Sequence, residues 1–483
     1  MMRWMRYVSL LRRRSGGFRA TGVAVVLVLA GCAHYQARPI DPAVTAAQWQ
    51  ARRLDDPMLA ERLAPVLREA QLDWPPARYG SGELLLAALV LNPDLAEARA
   101  HLAEADAAVR TAKAWPKPSV NLALERYAQD QAGSSPWLWG VTTNWLIDTA
   151  VRRRLRADLA DAGVRGARLD YAGKVWDVRR TLRAALADVL LGERQRALAD
   201  EAVNKAMALQ AAQEQRRALG EAMPADVLQV ALVLAQARDA AAAAAQRVAD
   251  ARARLARAVG VPVQALEGVA LAWDDLEAPP EWPATQLDAL ASRARLSRPD
   301  LERALVDYAS RETELRQQVR MQYPQISIGP GYTYDHGARK LQFNLGATLP
   351  LLDQNQGPIA EAEARREAAG RHVEAVQAGI DSEIASAAAR LTAARDALNA
   401  ATHGHDAAER LRQQVETGYA HGEDDRVAVL NAQLAAITAT QARLTAVDQA
   451  QQALGALEDA VRTPLEGNEA GLLQAAGRAG DKP

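Results

Sequence analysis

A single cysteine, Cys32, stands in the 483-residue chain. That count excludes an intrachain disulfide and a multi-cysteine metal site. Phenylalanine is nearly missing, with two residues, while alanine is abundant. Such a balance favours helices whose backbones approach closely. Neither charge sign prevails: 58 Lys and Arg face 59 Asp and Glu. The basic face that would mark a nucleic-acid partner is therefore not expected. Beyond Cys32 no apolar run approaches the ~20 residues of a spanning helix, so a mature chain that crosses a membrane must do so as a barrel. No nucleophile–base constellation and no phosphate loop occur, so the reading is a protein without covalent chemistry, not an enzyme. His403 and His405 lie two apart and would point about 200° apart on a helix, which rules out one shared metal within the chain. His336 falls in a turn beside Asp335, and His421 borders a helix end. No metal site is expected.

The N-terminal stretch is distinctive. Residues 3–19 carry a basic region that includes Arg12, Arg13, Arg14 and Arg19. An apolar run from Val23 to Ala30 follows, too short to span a bilayer and suited to a signal-peptide core. It ends in Leu29-Ala30-Gly31-Cys32, which resembles the lipobox of bacterial lipoprotein signals. The resemblance implies a signal peptide over 1–31 and a covalent lipid on Cys32, the one prosthetic group expected. Each buried lipid CH2 contributes roughly 0.8 kcal/mol, so several acyl chains would anchor the chain firmly. Ala33 follows where an aspartate would signal inner-membrane retention, which favours outer-membrane sorting. The alternative is a cysteine that happens to adjoin an ordinary cleavage site.

The rest of the chain is a two-fold repeat. NPDLAEARAHLAEADAAVRTAKAWPKPSVNLAL begins at Asn92, and RPDLERALVDYASRETELRQQVRMQYPQISIGPG begins at Arg298. Both open on Pro-Asp-Leu, where proline is pre-organised for a helix start and aspartate suits the helix dipole. Both stop at an aromatic-proline pair, Trp115-Pro116 and Tyr323-Pro324, then switch to period-two alternation. A long helical tract follows Asp148 and another follows Asp353. Each is broken once by a glycine-acid pair, Gly220-Glu221 and Gly422-Glu423. The divisions read as an N-terminal segment 32–83, a first repeat 84–270, a linker 271–297, a second repeat 298–462 and a tail 463–483.

Residues 151–219 contain no proline, and a continuous helix there would reach on the order of 100 Å. Such helices need partners along their length. Val227, Val230, Leu234, Ala237, Ala241, Ala244, Val248, Ala251 and Leu255 alternate spacings of three and four, a heptad seam. Leu430, Leu434, Ile437, Leu444, Val447, Leu454, Leu457 and Val461 do nearly the same. Gln441 and Gln451 interrupt that second seam, which suggests that part of it faces water or a neighbouring chain.

The alternating segments read as two hairpins, about 118–147 and 324–350, with polar tips at 128–135 and 335–339. Tyr127, Trp137, Trp139, Trp145, Tyr332 and Tyr334 gather on or near them, as an interfacial aromatic girdle would. Four strands cannot close a barrel, and an open sheet in lipid leaves unsatisfied edges. Closure therefore requires several copies. Three would give about twelve strands, and two would barely leave a lumen. A small soluble sheet with core aromatics is the alternative.

From about residue 84 to residue 462 the chain resembles the TolC-type outer-membrane efflux protein family. The doubled Pro-Asp-Leu helix, the doubled hairpin, the glycine-containing helix turns and LGATLPLLDQNQGPIAEAEARREAA carry the resemblance, although Leu352 stands where an aromatic is more usual. The Asp-Gln-Asn-Gln-Gly run at 353–357 and Ile147-Asp148-Thr149 are closer to the CzcC-like heavy-metal branch. The resemblance implies a mainly α homotrimer with a small β part. Its twelve-stranded transmembrane barrel would take four strands per chain and continue into a long periplasmic α-helical barrel, with segments 36–82 and 463–483 packed outside. It implies an outer-membrane exit duct fed by an inner-membrane pump and a periplasmic adaptor, and the heavy-metal branch implies heavy-metal cations as cargo. Two helix turns, 218–226 and 420–427, would lie farthest from the membrane. Gly220, Glu221, Pro224, Gly422 and Glu423 are the candidate adaptor contacts. Asp226, Asp424 and Asp425 are the candidate gate, an acidic ring around the three-fold axis that would attract cations. Plain turn and capping chemistry accounts for the same residues. A non-channel coiled-coil envelope lipoprotein and a periplasmic adaptor are the rival readings.

Overall fold

The computed structural model describes residues 35–128, 135–148, 151–280, 284–349, 353–465, 469, 471 and 472. Cys32, residues 1–31 read above as a signal peptide, Leu352 and most of the first hairpin tip lie outside these residues. The chain divides into two compact units, residues 1–51 and 52–483. In the first, α1 (Pro42–Gln50) starts on Asp41, whose carboxylate accepts the Ala43 N–H at 2.8 Å.

The second unit is mostly helical. Helices α2 (Pro57–Ala70) and α3 (Ser81–Leu91) lead into the first repeat. That repeat comprises α4 (Pro93–Lys113), β1 (Ser119–Arg126), β2 (Trp137–Ile147), α5 (Arg152–Ala218) and α6 (Pro224–Val259). After α7 (Ala284–Ser297), the second comprises α8 (Pro299–Arg320), β3 (Gln325–Asp335), β4 (Ala338–Thr348), α9 (Gln356–His421) and α10 (Arg426–Val461). The duplicated order is thus present. Helices α5 and α9 run unbroken for 67 and 66 residues, each about 100 Å. The stretch 271–297, read as a linker, instead carries α7. The Ala291 and Ala294 side chains of α7 are buried with Leu301, Ile380 and Leu454.

Equivalent joints close the two repeats. Asn92 caps α4 by accepting the Leu95 N–H at 3.1 Å and donates from Nδ2 to the Ala258 carbonyl at 2.7 Å. In the second repeat Arg298 takes that place and donates to the Ala460 carbonyl at 2.9 Å. Gly260 and Arg462 end α6 and α10 in the same left-handed conformation. Around the first joint Leu84, Leu95, Leu182, Leu186 and Leu255 form a core fully closed to solvent.

Both predicted seams are found, with one correction. Every seam position of α6 is buried or half-buried. In α10, however, Gln451 does not face water or a neighbour; it is 1% exposed. Its amide donates to the Leu276 carbonyl at 2.9 Å and accepts from Arg183 at 2.9 Å, so a buried polar core tolerates it there. A second correction concerns α6, which is long and apolar enough by length and composition to cross a membrane. Its apolarity joins Val227, Leu228, Val230, Leu232, Val233 and Leu234 to a run of alanines, and Gln229, Gln236, Arg238 and Asp239 break it up, so it escapes a search for uninterrupted apolar runs.

The four strands form one antiparallel sheet in the order β1-β2-β3-β4. Pairing of β2 with β3 joins the two hairpins, with Trp139 opposite Tyr334 and Trp145 opposite Ile328. The second hairpin turns on His336 and Gly337 alone, both at positive φ (49° and 101°), a tighter turn than the expected 335–339. Strands β1 and β4 are the open edges, and every residue of both is exposed. Leu122 is 79% exposed and Leu341 89%.

One polar group in the helical core gives a pH prediction. Burial, and then the neighbouring Asp188 carboxylate, raises the Asp448 pKa above the usual carboxylate range. Gln452 donates to its Oδ2 at 3.0 Å, while its buried Oδ1 has no partner among the described residues. The folded chain therefore binds this proton more tightly than the unfolded chain, and the associated stability is lost as pH rises through the raised pKa. Asp448→Asn should add about 1 kcal/mol at pH 7, some 2–4 °C in melting temperature, with the gain shrinking toward pH 4. Thermal melts of both proteins at the two pH values check this.

Candidate functional site

Three features outside ordinary core packing could serve a function: the two helix turns, a buried charged network, and the exposed sheet.

At the first turn Gly220 sits at φ 80°, and the Glu221 N–H donates back to the Arg216 carbonyl at 2.8 Å. Glycine takes that left-handed angle without strain. Met223 and Pro224 then start α6, and Asp226 reaches back to accept the Met223 N–H at 2.8 Å. The second turn repeats the design. Gly422 lies at φ 79°, and Glu423 donates to the Gly418 carbonyl at 2.9 Å. Asp425 caps α10, its Oδ1 accepting the Ala428 N–H at 2.7 Å. Asp424 is half-buried, with its carboxylate folded over Gly418.

The turns sit side by side. Leu209, Val230 and Leu430 pack into one small cluster beneath them. Above it the Arg216 guanidinium donates to Asp425 Oδ2 at 3.0 Å, and Glu221 lies 3.9 Å from the same side chain. Of the acids read from the sequence, Asp425 is therefore both a cap and an ion-pair partner, and Asp226 is a cap. Sequence reasoning missed Arg216. Its only signal was its place in the last turn of α5, where a cation suits the helix dipole. Such a half-exposed pair is worth less than about 1 kcal/mol, little enough to break under load.

Far along α5 from these turns lies a closed polar network. Arg179 is 2% exposed and pairs with Glu458 at 2.9 Å and with Glu469, which approaches more closely still. Arg183 lies 3.3 Å from Glu458 and donates to both Gln451 oxygens. Burial alone would lower the Arg179 pKa, but the two carboxylates outweigh it and hold the guanidinium above its ordinary value. The ring of Trp176 stacks 4.8 Å from Arg179. Beside it the indole N–H donates to Asp459 at 2.7 Å, and burial raises the Asp459 pKa despite that bond. Every charge here has a partner, which suits structure more than binding. An open cleft of about 710 Å3, lined in part by Arg78, Glu83, Trp273 and Asp274, opens beside it.

The sheet is the third feature. Leu122, Leu124, Leu341, Phe343 and Leu345 are exposed, and Trp139 packs against Tyr332 and Tyr334 with centroids 5.5 and 6.0 Å apart. An apolar, aromatic surface with two unpaired edges requires something other than water around it.

Comparison with known proteins follows the same lines. Residues 84–261 and 290–461, the two repeats, match the family described as outer membrane efflux protein. No curated protein sequence matches the chain. Among solved structures, the outer membrane protein VceC of Vibrio cholerae is similar with a TM-score of 0.64 and 16% identity, covering 80% of this chain and 97% of its own. The CmeC outer membrane channel of Campylobacter jejuni gives 0.67 at 13% identity, covering 92% and 97%. CusC, in a study of folding and transmembrane channel formation, gives 0.65 at 18%, covering 81% and 94%. At these identities the likeness establishes the fold. With both repeats matched across most of its length, the chain belongs to the outer membrane efflux protein family.

Proposed function

We propose that three copies of this chain close a twelve-stranded outer-membrane barrel and together form the exit duct of a tripartite efflux system. The observation that carries this reading is the single four-stranded sheet with exposed apolar faces and unpaired edges β1 and β4. In lipid such edges must pair, and edge β4 of one copy on edge β1 of the next closes a ring without leaving any. About twelve strands leave a lumen that eight would fill with side chains. Helices α5, α6, α9 and α10 then continue the duct into the periplasm. A lipid on Cys32 anchors each copy to the same membrane. An inner-membrane pump and a periplasmic adaptor deliver cargo at the paired turns, where the adaptor contacts Gly220, Glu221, Pro224, Gly422 and Glu423. Asp226, Asp424 and Asp425 recur around the axis at that entrance and favour cations. The Arg216–Asp425 pair holds the entrance narrow. Family membership supports the outer-membrane efflux role, and nothing in it calls for covalent catalysis.

Single-channel conductance of the purified protein in planar bilayers, beside its molar mass in detergent, tests the reading. The expected particle has the mass of three chains and conducts in small, cation-preferring steps. Arg216→Gln should enlarge those steps severalfold by freeing the second turn. Neutralising Asp226, Asp424 and Asp425 together should reduce the cation preference. A monomer or dimer that never conducts would overturn the duct and favour a coiled-coil lipoprotein.

A further inference from the structure

Where the strands meet the helices, the chain changes from apolar to strongly basic within a few residues. Strand β2 ends on Leu146 and Ile147, and α5 begins with Arg152, Arg153, Arg154 and Arg156. Strand β1 begins at Ser119, just after Lys113 and Lys117. Arg320 ends α8 before β3. The joining segments 113–118, 151–156, 320–324 and 353–356, together with Asp148, hold these seven cations and two carboxylates, Asp148 and Asp353, and Asp161 of α5 pairs with Lys113 at 3.3 Å. The chain as a whole is balanced, so the excess is local.

The contacts bring these groups to one end of the sheet. Arg152 donates to the Tyr323 carbonyl at 3.2 Å, and Arg153 to the Lys113 carbonyl at 3.3 Å. Aromatic rings lie among them: Arg153 over Trp115 at 4.2 Å and Arg320 over Tyr323 at 5.6 Å. Trp115, Tyr323 and Trp145 are all at least half exposed. Asp148 is used up as a cap, accepting the N–H groups of Arg152 and Arg153 at 2.8 and 2.7 Å.

Helix stability does not explain the arginines. The first turn of a helix disfavours cations, yet Arg152, Arg153 and Arg154 occupy it in α5 and no acidic side chain stands among them. Among the described residues, neither Lys117 nor Arg154 nor Arg156 meets a carboxylate, and all three are exposed. A band of exposed aromatics and cations, three of them meeting no carboxylate among the described residues, borders an apolar sheet and matches one surface: the phosphate layer of a bilayer leaflet.

We infer that this band docks the headgroups of anionic phospholipids in the leaflet on the helical side of the barrel. The inference rests on the membrane-spanning reading of the sheet proposed above. The partner is a lipid phosphodiester carrying net negative charge, bound where its acyl chains can lie on the strands. Trp115 and Tyr323 mark the depth of the interface, and Lys117, Arg154 and Arg156 supply the charge complementarity. Near a membrane surface each such cation contributes a several-fold preference for anionic lipid, so three together amount to about a hundredfold.

The test uses the full-length, lipidated protein. Native mass spectrometry and thermal melting of the detergent-purified oligomer are followed during titration with dioleoylphosphatidylglycerol, dioleoylphosphatidylcholine or inorganic phosphate. The wild type should retain phosphatidylglycerol and melt at higher temperature with it, and much less so with phosphatidylcholine or phosphate. The triple variant Lys117→Gln, Arg154→Gln, Arg156→Gln should raise the half-saturating phosphatidylglycerol concentration about a hundredfold. The conservative set Lys117→Arg, Arg154→Lys, Arg156→Lys should restore it, which shows that charge and not folding is read. Equal responses to the two lipids, an equal response to inorganic phosphate, or an unchanged triple variant would each overturn the inference. Conductance in neutral phosphatidylcholine bilayers separates the two readings. If both proteins conduct there without any lipid preference, only the headgroup inference falls. If neither inserts, the membrane reading falls and takes the inference with it.

Discussion

Arg179→Ala is expected to cost about 3–5 kcal/mol, the range for breaking a buried ion pair by removing one partner. Glu458 is closed to solvent and Glu469 nearly so, and Arg179 is the cation that joins them. Removing it leaves two carboxylates facing each other without water. Arg183, 3.3 Å from Glu458, neutralises only part of that charge. Loss of the Arg179 stem also opens a void against Trp176. The measurement is the shift in thermal and denaturant midpoints at pH 7. A variant carrying Arg179→Met with Glu469→Gln removes one charge of each sign, leaves Glu458 beside Arg183, and should recover much of the loss, because it avoids the unpaired-charge penalty. If the single and double variants lose equally, the Arg179–Glu469 pair contributes packing alone.

Gly260→Ala is expected to cost about 2–5 kcal/mol, far above the usual effect of one added methyl. Two penalties combine. Gly260 lies at φ 95°, where a side chain is strained. A Cβ there also falls on backbone, overlapping the Leu91 carbonyl and reaching 2.7 Å from Asn92 Cα. That backbone is pinned: Arg52 donates to the Leu91 and Gly260 carbonyls at 2.7 and 2.9 Å. Gly268→Ala is the control. Its φ is 75°, but nothing lies within 4 Å of the added carbon, so only the conformational cost of roughly 1–2 kcal/mol should appear. Denaturant midpoints of the two variants separate strain from overlap.

The second repeat shows why the clash, more than the angle, governs this position. Arg462 holds the equivalent place at φ 51° with a full side chain. The helix it faces begins on Arg298, whose guanidinium makes the cross-helix bond that Asn92 makes in the first repeat. One repeat therefore brings backbone close and requires glycine, whereas the other spans the joint with long side chains. Sequence comparison of the repeats located both helix starts but not this exchange, because it depends on distance across the joint.

Legibility followed the range of the interactions. Pro-Asp-Leu starts, heptad seams, glycine turns and alternating strands are local patterns, and each appears where its residues indicate. Joining of the hairpins through β2 and β3 was not legible, since strand order depends on where four distant helices place the strand ends. Gln451 was misjudged for a related reason. Its partners Leu276 and Arg183 lie 175 and 268 residues away, and a glutamine in a seam reads as a wet position unless they are known. At the turns the glycines and caps were visible, while Arg216 was hidden because its partner Asp425 belongs to the other repeat.

Glu469 has a consequence for biosynthesis. Synthesis from the N-terminus delivers Arg179 first and Glu458 nearly 300 residues later, with Glu469 after both. Until Glu469 emerges, the long helices can pair but their centre keeps a charge imbalance that water must solvate. Completion of the interior is thereby tied to delivery of a segment beyond the second matched repeat. A prematurely terminated chain would keep a wet, unlatched middle, open to cleavage that the finished chain resists.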